Sequence, residues 1–143
     1  MDAVVFGSRS GLRLELVPAA YPWGGDRGEL PTWQARLTGA GLAVAVVCPE
    51  ASWEQQSLAD YLAGLDRDWR GWDGERVWQS EEVELRLTAR HDKTNTVLVG
   101  VELVQSGSWR VETELELDPG VFRQLAADAR ALGPASLAQT STR

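Results

Sequence analysis

The sequence predicts an α+β fold: an antiparallel sheet of about seven strands, in the order four strands, helix, three strands, helix, with the two helices packed on one face. Three observations predict it. Apolar and polar residues alternate through most of the chain, the period-2 pattern of half-buried strands. The alternation is broken once in the middle and once near the end by apolar residues spaced three and four apart, the stripe of an amphipathic helix. Within each strand group the connections are a few residues long, too short for a parallel crossover. The chain of 143 residues has room for one core, so residues 1–134 read as a single domain and 135–143 as a mobile tail.

The strands begin at residues 3–8 and 11–17 around the turn Ser8-Arg9-Ser10-Gly11. Leu12, Leu14 and Leu16 point one way and Arg13 and Glu15 the other, until Pro18 ends the run. Tyr21–Gly28 is too rich in glycine and proline for a regular element, and its Tyr21 and Trp23 read as a plug over the core or a surface aromatic pair. Trp33, Ala35 and Leu37 give a third strand. Residues 42–48, apolar at every position, read as a central strand covered on both faces.

Ser52-Trp53-Glu54-Gln55 has the capping-box pattern, with Ser52 as N-cap. Leu58, Leu62, Leu65 and Trp69 then form one helix stripe, with Tyr61 beside it and Trp69 as its last core residue. Gly71 fits the left-handed position after a helix end, Trp72 folds back near the stem of Arg67, and Asp73-Gly74 is a turn. From residue 77 the core parity is ambiguous. Leu85 and Leu87 put the odd positions inside, which leaves Trp78 on the polar face unless a bulge near Ser80–Glu82 swings it inward. After the connector Arg90–Asn95, the runs Val97–Leu103 and Trp109–Leu117 complete a meander. Asp118-Pro119 opens the last helix as N-cap and N1, and Phe122, Leu125, Ala129 and Leu132 make its apolar face.

At 43% apolar and 24% charged residues the composition is that of a globular protein, and no apolar run approaches the length of a membrane span. A single cysteine allows no internal disulfide and suits a cytoplasmic, reducing setting. The formal charge of −7 and the lack of a basic cluster argue against nucleic acid as a partner.

Residues that carry chemistry are scarce. One Cys and one His, far apart, do not make a zinc site, and neither metal nor cofactor is expected. Cys48 has no basic neighbour in the sequence and reads as a buried thiol. His91-Asp92 reads as a solvated turn. The carboxylates Asp66, Asp68, Asp73, Glu75, Glu81 and Glu82 offer acid–base pairs on paper; interleaved with Arg67, Arg70 and Arg76, they read first as a solvated helix end and turn. No catalytic residue is assigned, and enzymatic activity is not favoured.

Residues 65–87 carry a specific pattern: Trp69-Arg70-Gly71-Trp72-Asp73-Gly74, then Trp78, Ser80 and Glu81. This resembles the signature of an actinobacterial family, domain of unknown function 6228, and the resemblance extends from about Trp33 to Leu132. It implies no activity and carries no catalytic residue over. The order of elements is also similar to that of small bacterial immunity proteins, which neutralise toxins.

Two functional readings follow. In the first, the chain is a protein-binding module, immunity-like, with Trp78 as an aromatic anchor beside Glu81 and Glu82 and an acidic sheet face of Glu82, Glu84, Glu102, Glu112, Glu114 and Glu116. In the second, Trp23, Trp72 and Trp78 line a pocket with carboxylates for a small molecule or an unrecognised reaction. A homodimer joined at a sheet edge or face is a further expectation.

Overall fold

The computed structural model describes residues 3–19, 32–50 and 56–132. The chain forms eight strands in two antiparallel sheets of four, not one sheet of seven. The first sheet has β1 (Val4–Gly7), β2 (Arg13–Pro18), β3 (Thr32–Gly39) and β4 (Leu42–Pro49) in sequential order. The second has β5 (Glu75–Gln79), β6 (Leu85–His91), β7 (Val97–Gln105) and β8 (Trp109–Leu117), also in sequential order. Between them runs α1 (Leu58–Arg67); a short 3-10 turn (Pro119–Val121) leads into α2 (Phe122–Leu132).

The extra strand comes from the ambiguous stretch. Residues 77–87 are not one strand with a bulge but a hairpin, β5 and β6, with its loop at Ser80–Glu84. The Ser80 N–H donates to Leu85 O at 2.9 Å, and the Leu85 N–H donates to Ser80 Oγ at 3.1 Å. Ser80 Oγ in turn donates to Glu84 Oε1 at 2.6 Å. Reversal at the loop also reverses parity: Trp78 lies opposite Leu87. Residues directly opposite in an antiparallel pair share a face, so Trp78 faces the core with Leu87. Val83, of the same odd parity as Leu85 and Leu87, is a loop residue at φ 59.

The alternation seen in the sequence places the core. Leu14, Leu16, Trp33, Ala35 and Leu37 are buried from the first sheet, and Leu85, Leu87, Ala89, Val97, Val99, Val101 and Leu103 from the second. Leu58, Leu62 and Leu65 of α1 and Phe122, Leu125 and Ala129 of α2 join them in one continuous apolar cluster. Both helices therefore share the space that the inner faces of the two sheets enclose.

Three local expectations are corrected. β4 is an edge strand, not a central one: among the described residues it pairs only with β3, and Ala43 and Ala45 are exposed. Its outward row, Ala43, Ala45 and Val47, is apolar and so reads as core in a sequence. The N-cap of α1 is Ser57, whose Oγ accepts from the Asp60 N–H at 3.0 Å; Ser52-Trp53-Glu54-Gln55 lies outside the described residues. α1 stops at Arg67, two residues short of Trp69, which is 49% exposed. The expected tail, 135–143, also lies outside the described residues. As expected, Asp118 caps with Pro119 at N1, its Oδ1 accepting from the Gly120 N–H at 2.8 Å, although the element it opens is the 3-10 turn before α2.

Candidate functional site

The tryptophan-rich stretch folds into a closed corner between α1 and the second sheet. Trp72 is buried, its ring edge-on to His91 with centroids 5.1 Å apart, and the Arg76 guanidinium lies over its other side at 4.8 Å. The side chain that covers Trp72 is thus Arg76, not Arg67. Arg76 also pairs with Asp68 at 2.7 Å, which ties the end of α1 to the start of β5.

His91 is buried rather than solvated, and both ring nitrogens are engaged. The Lys93 N–H donates to Nδ1 at 2.7 Å, so Nδ1 is an acceptor and the proton belongs on Nε2, which donates to the Trp69 carbonyl at 2.7 Å. Gly71, at φ 145, passes beside this imidazole; a Cβ there would sit 3.7 Å from Nδ1. That is ordinary contact distance, so it is the positive φ rather than lack of space that favours glycine at position 71, which lies beyond the helix C-cap, Asp68. Lys93 reaches back to Asp73 and holds its carboxyl below the usual range.

The proposed site residues separate. Trp78 is 4% exposed and its indole N–H donates to the Gln56 carbonyl at 3.0 Å, so it offers no aromatic surface to a partner. Trp72 is spent on the corner, and Trp23 lies outside the described residues. Trp78 borders a shallow hollow with Gln56, Val77 and Gln79, and Trp72 is not among its lining residues. Glu81 and Glu82 are exposed in the β5–β6 loop. The expected acidic sheet face is divided. Glu102, Glu112, Glu114 and Glu116 lie on the outer face of the second sheet among Arg86, Arg90 and Arg110, with Arg110–Glu102 and Arg110–Glu112 pairs at 2.5 Å and Arg90–Glu114 at 3.1 Å. Glu82 and Glu84 are not part of that face.

Those two carboxylates instead border a cleft of about 440 Å³ where the two sheets meet. Val46 and Val47 of β4 form one wall, and Val104, Gln105 and Ser106 of β7 and its following turn form the other. The Glu81 N–H donates to the Pro49 carbonyl at 3.0 Å, which fixes the β5–β6 loop against the end of β4 and holds the acidic rim in place. Glu84 is itself oriented by the Ser80 hydroxyl and by the Glu82 N–H at 3.3 Å. Val46, Val47 and Val104 were not legible as site residues, because nothing in the sequence says that β4 and β7 face each other. The glutamates carried a signal, but for a different surface.

Cys48 is not set up as a nucleophile. The Cys48 thiol is fully buried, and burial, together with the negative charge of Glu84, pushes its pKa up, away from the thiolate. No group of three or more His, Cys, Asp or Glu side chains able to hold a metal ion occurs among the described residues. Nor is any of their helices long and apolar enough to cross a membrane.

The model of the family of unknown function DUF6228 matches residues 23–135, most of the chain and all of the tryptophan corner. The chain belongs to this family. No curated protein and no solved structure matches the chain. Within the matched residues the rings of Trp72 and Trp78 are buried, whereas that of Trp69 is half-exposed.

Proposed function

We propose that this DUF6228 chain is a non-enzymatic protein-binding module that receives a basic segment of a partner protein in the cleft between β4 and β7. One observation carries the reading: the apolar walls of Val46, Val47 and Val104 are bordered by two glutamates that the β5–β6 loop holds in place. An apolar centre with a charged rim is the arrangement of a protein-binding surface, where the centre supplies affinity and the rim selects the partner by charge. The overall charge of −7 steers the same class of partner. Neutralising a basic toxin, the immunity-like role, is one instance of such binding. A cytoplasmic site of action suits the single buried thiol.

A photo-crosslinking residue at Val47, in the cleft, is to be compared in the native host with one at Val5, on the outer face of the first sheet. The reading expects a discrete crosslinked protein from position 47 only, lost when Glu82→Lys is added. Equal yields from both positions, or a crosslink indifferent to the reversed charge, would remove it.

A further inference from the structure

The free edge of β4 carries a second interface, which shares Val46 with the cleft. Residues 42–47, Leu-Ala-Val-Ala-Val-Val, hold no charge and no proline, and among the described residues their outward N–H and C=O groups have no hydrogen-bond partner. Such an edge is a template for another strand, and proteins normally guard it with lysine, proline, a bulge or a covering element. The other three edges are treated that way. β1 lies against α2 and β8, β5 carries Glu75 and Arg76, and β8 alternates Arg110, Glu112, Glu114 and Glu116 along its length. The unpaired stretch also has defined ends: the Gly39-Ala40-Gly41 turn at one, and at the other Pro49, whose carbonyl Glu81 has already taken.

We infer that β4 pairs antiparallel with β4 of a second copy, joining two four-stranded sheets into one of eight. A two-fold axis perpendicular to the sheet keeps each face on its own side, so residues of equal parity must meet. Centred on Val44, the pairing sets Val44 against its own copy, Leu42 against Val46, and Ala43 against Ala45. The inner row then holds only branched residues and the outer row only alanines. Leu42 and Val44, half-exposed in one chain, gain cover from their counterparts. Two chains of −7 repel, and this uncharged strip lets them meet without setting carboxylates against each other.

The test is sedimentation of the full chain from micromolar to hundred-micromolar concentration, with amide hydrogen exchange at both ends of that range. The expected result is a dimer whose amides at 42–46 exchange more slowly at high concentration. Ala45→Lys, an exposed position that leaves the inner face untouched, weakens dimerisation more than tenfold while the circular dichroism stays unchanged; Val5→Lys on β1 does not. A 15.7 kDa monomer at every concentration overturns the inference, as does a dimer that shows no added protection in β4 and ignores Ala45→Lys.

Discussion

His91 has two neighbours that are expensive to abandon. Removing its ring leaves the Trp69 carbonyl and the Lys93 N–H without the imidazole, and takes away the edge against which Trp72 packs. A polar group stripped of its partner costs about 1–3 kcal/mol when it is buried. His91→Ala is therefore expected to lower stability by roughly 2–3 kcal/mol in urea unfolding. Trp69→Ala, which keeps the backbone carbonyl and removes an exposed ring, is expected to stay within about 0.5 kcal/mol of the parent. The reverse order would mean that Trp69, rather than His91, organises the corner. Glu50 is the other residue whose surroundings set its behaviour. It is 4% exposed, its Oε1 accepts from the Leu58 N–H at 2.7 Å, and burial raises its pKa. The buried indole N–H of Trp33 lies close enough to favour the carboxylate, although it makes no hydrogen bond of normal geometry. The folded chain therefore holds the Glu50 proton to a higher pH than the unfolded chain does. As pH rises from the ordinary value near 4.5 through the folded one, the unfolded state binds fewer protons than the native state, and stability falls. Glu50→Gln keeps an acceptor for Leu58 and has no charge to bury. Its melting temperature relative to the parent should thus become more favourable as pH rises across that window; a difference that shrinks would contradict the burial account.

Elements depend on turns, and two turns here use positive φ in opposite ways. At Gly39, φ +119, a Cβ would lie 2.8 Å from the Gly11 carbonyl oxygen and 3.0 Å from the Leu12 Cα, both backbone atoms that cannot step aside. Gly39→Ala should cost roughly 2–3 kcal/mol and loosen the β3–β4 turn that begins the free edge. Val83 holds φ 59 with a branched side chain, a conformation that strains it. Val83→Asn, which tolerates that region, should raise stability by about 1 kcal/mol in the same assay. The contrast explains which elements were legible in the sequence. Alternation located β2, β3, β7 and β8 and their inner faces, and the spacing of Leu58, Leu62 and Leu65 located α1, because burial acts on every second residue of a strand and on one stripe of a helix; of β6 it gave only the inward Leu85 and Leu87. The β5–β6 loop was hidden because Ser80-Glu81-Glu82-Val83-Glu84 contains no glycine, proline or asparagine; hydrogen bonds from Ser80 close it instead. The start of α1 was misplaced by five residues because Ser52 and Ser57 are both plausible caps and only the fold chooses between them. The cleft was illegible for a different reason. Its walls come from β4 and β7, far apart in sequence, and no local pattern records which strands of two separate sheets approach each other.

At the scale of the molecule, the two sheets and two helices share one apolar cluster, and this sets how the chain unfolds. Neither sheet has a core of its own: Leu14, Leu16 and Leu37 of the first and Leu87, Val99 and Leu115 of the second belong to the same buried set as Leu62 and Phe122. Polar ties cross the same boundaries. The Arg9 N–H donates to the Glu116 carbonyl at 3.0 Å, the Glu116 N–H donates to Ser8 Oγ at 2.9 Å, and the Glu81 N–H donates to the Pro49 carbonyl at 3.0 Å. Arg130 of α2 also pairs with Asp60 of α1 at 3.3 Å, an exposed pair of small worth. Opening one sheet would expose the inner face of the other, so a half-unfolded state gains chain entropy while losing apolar burial on both sides. Unfolding should then be a single transition. Tryptophan fluorescence, which reports Trp33, Trp72 and Trp78 from both sheets, and far-ultraviolet circular dichroism should give coincident urea curves. Two separated transitions would show that the sheets are independent units, and would relocate the β4–β7 cleft from a fixed site to a hinge.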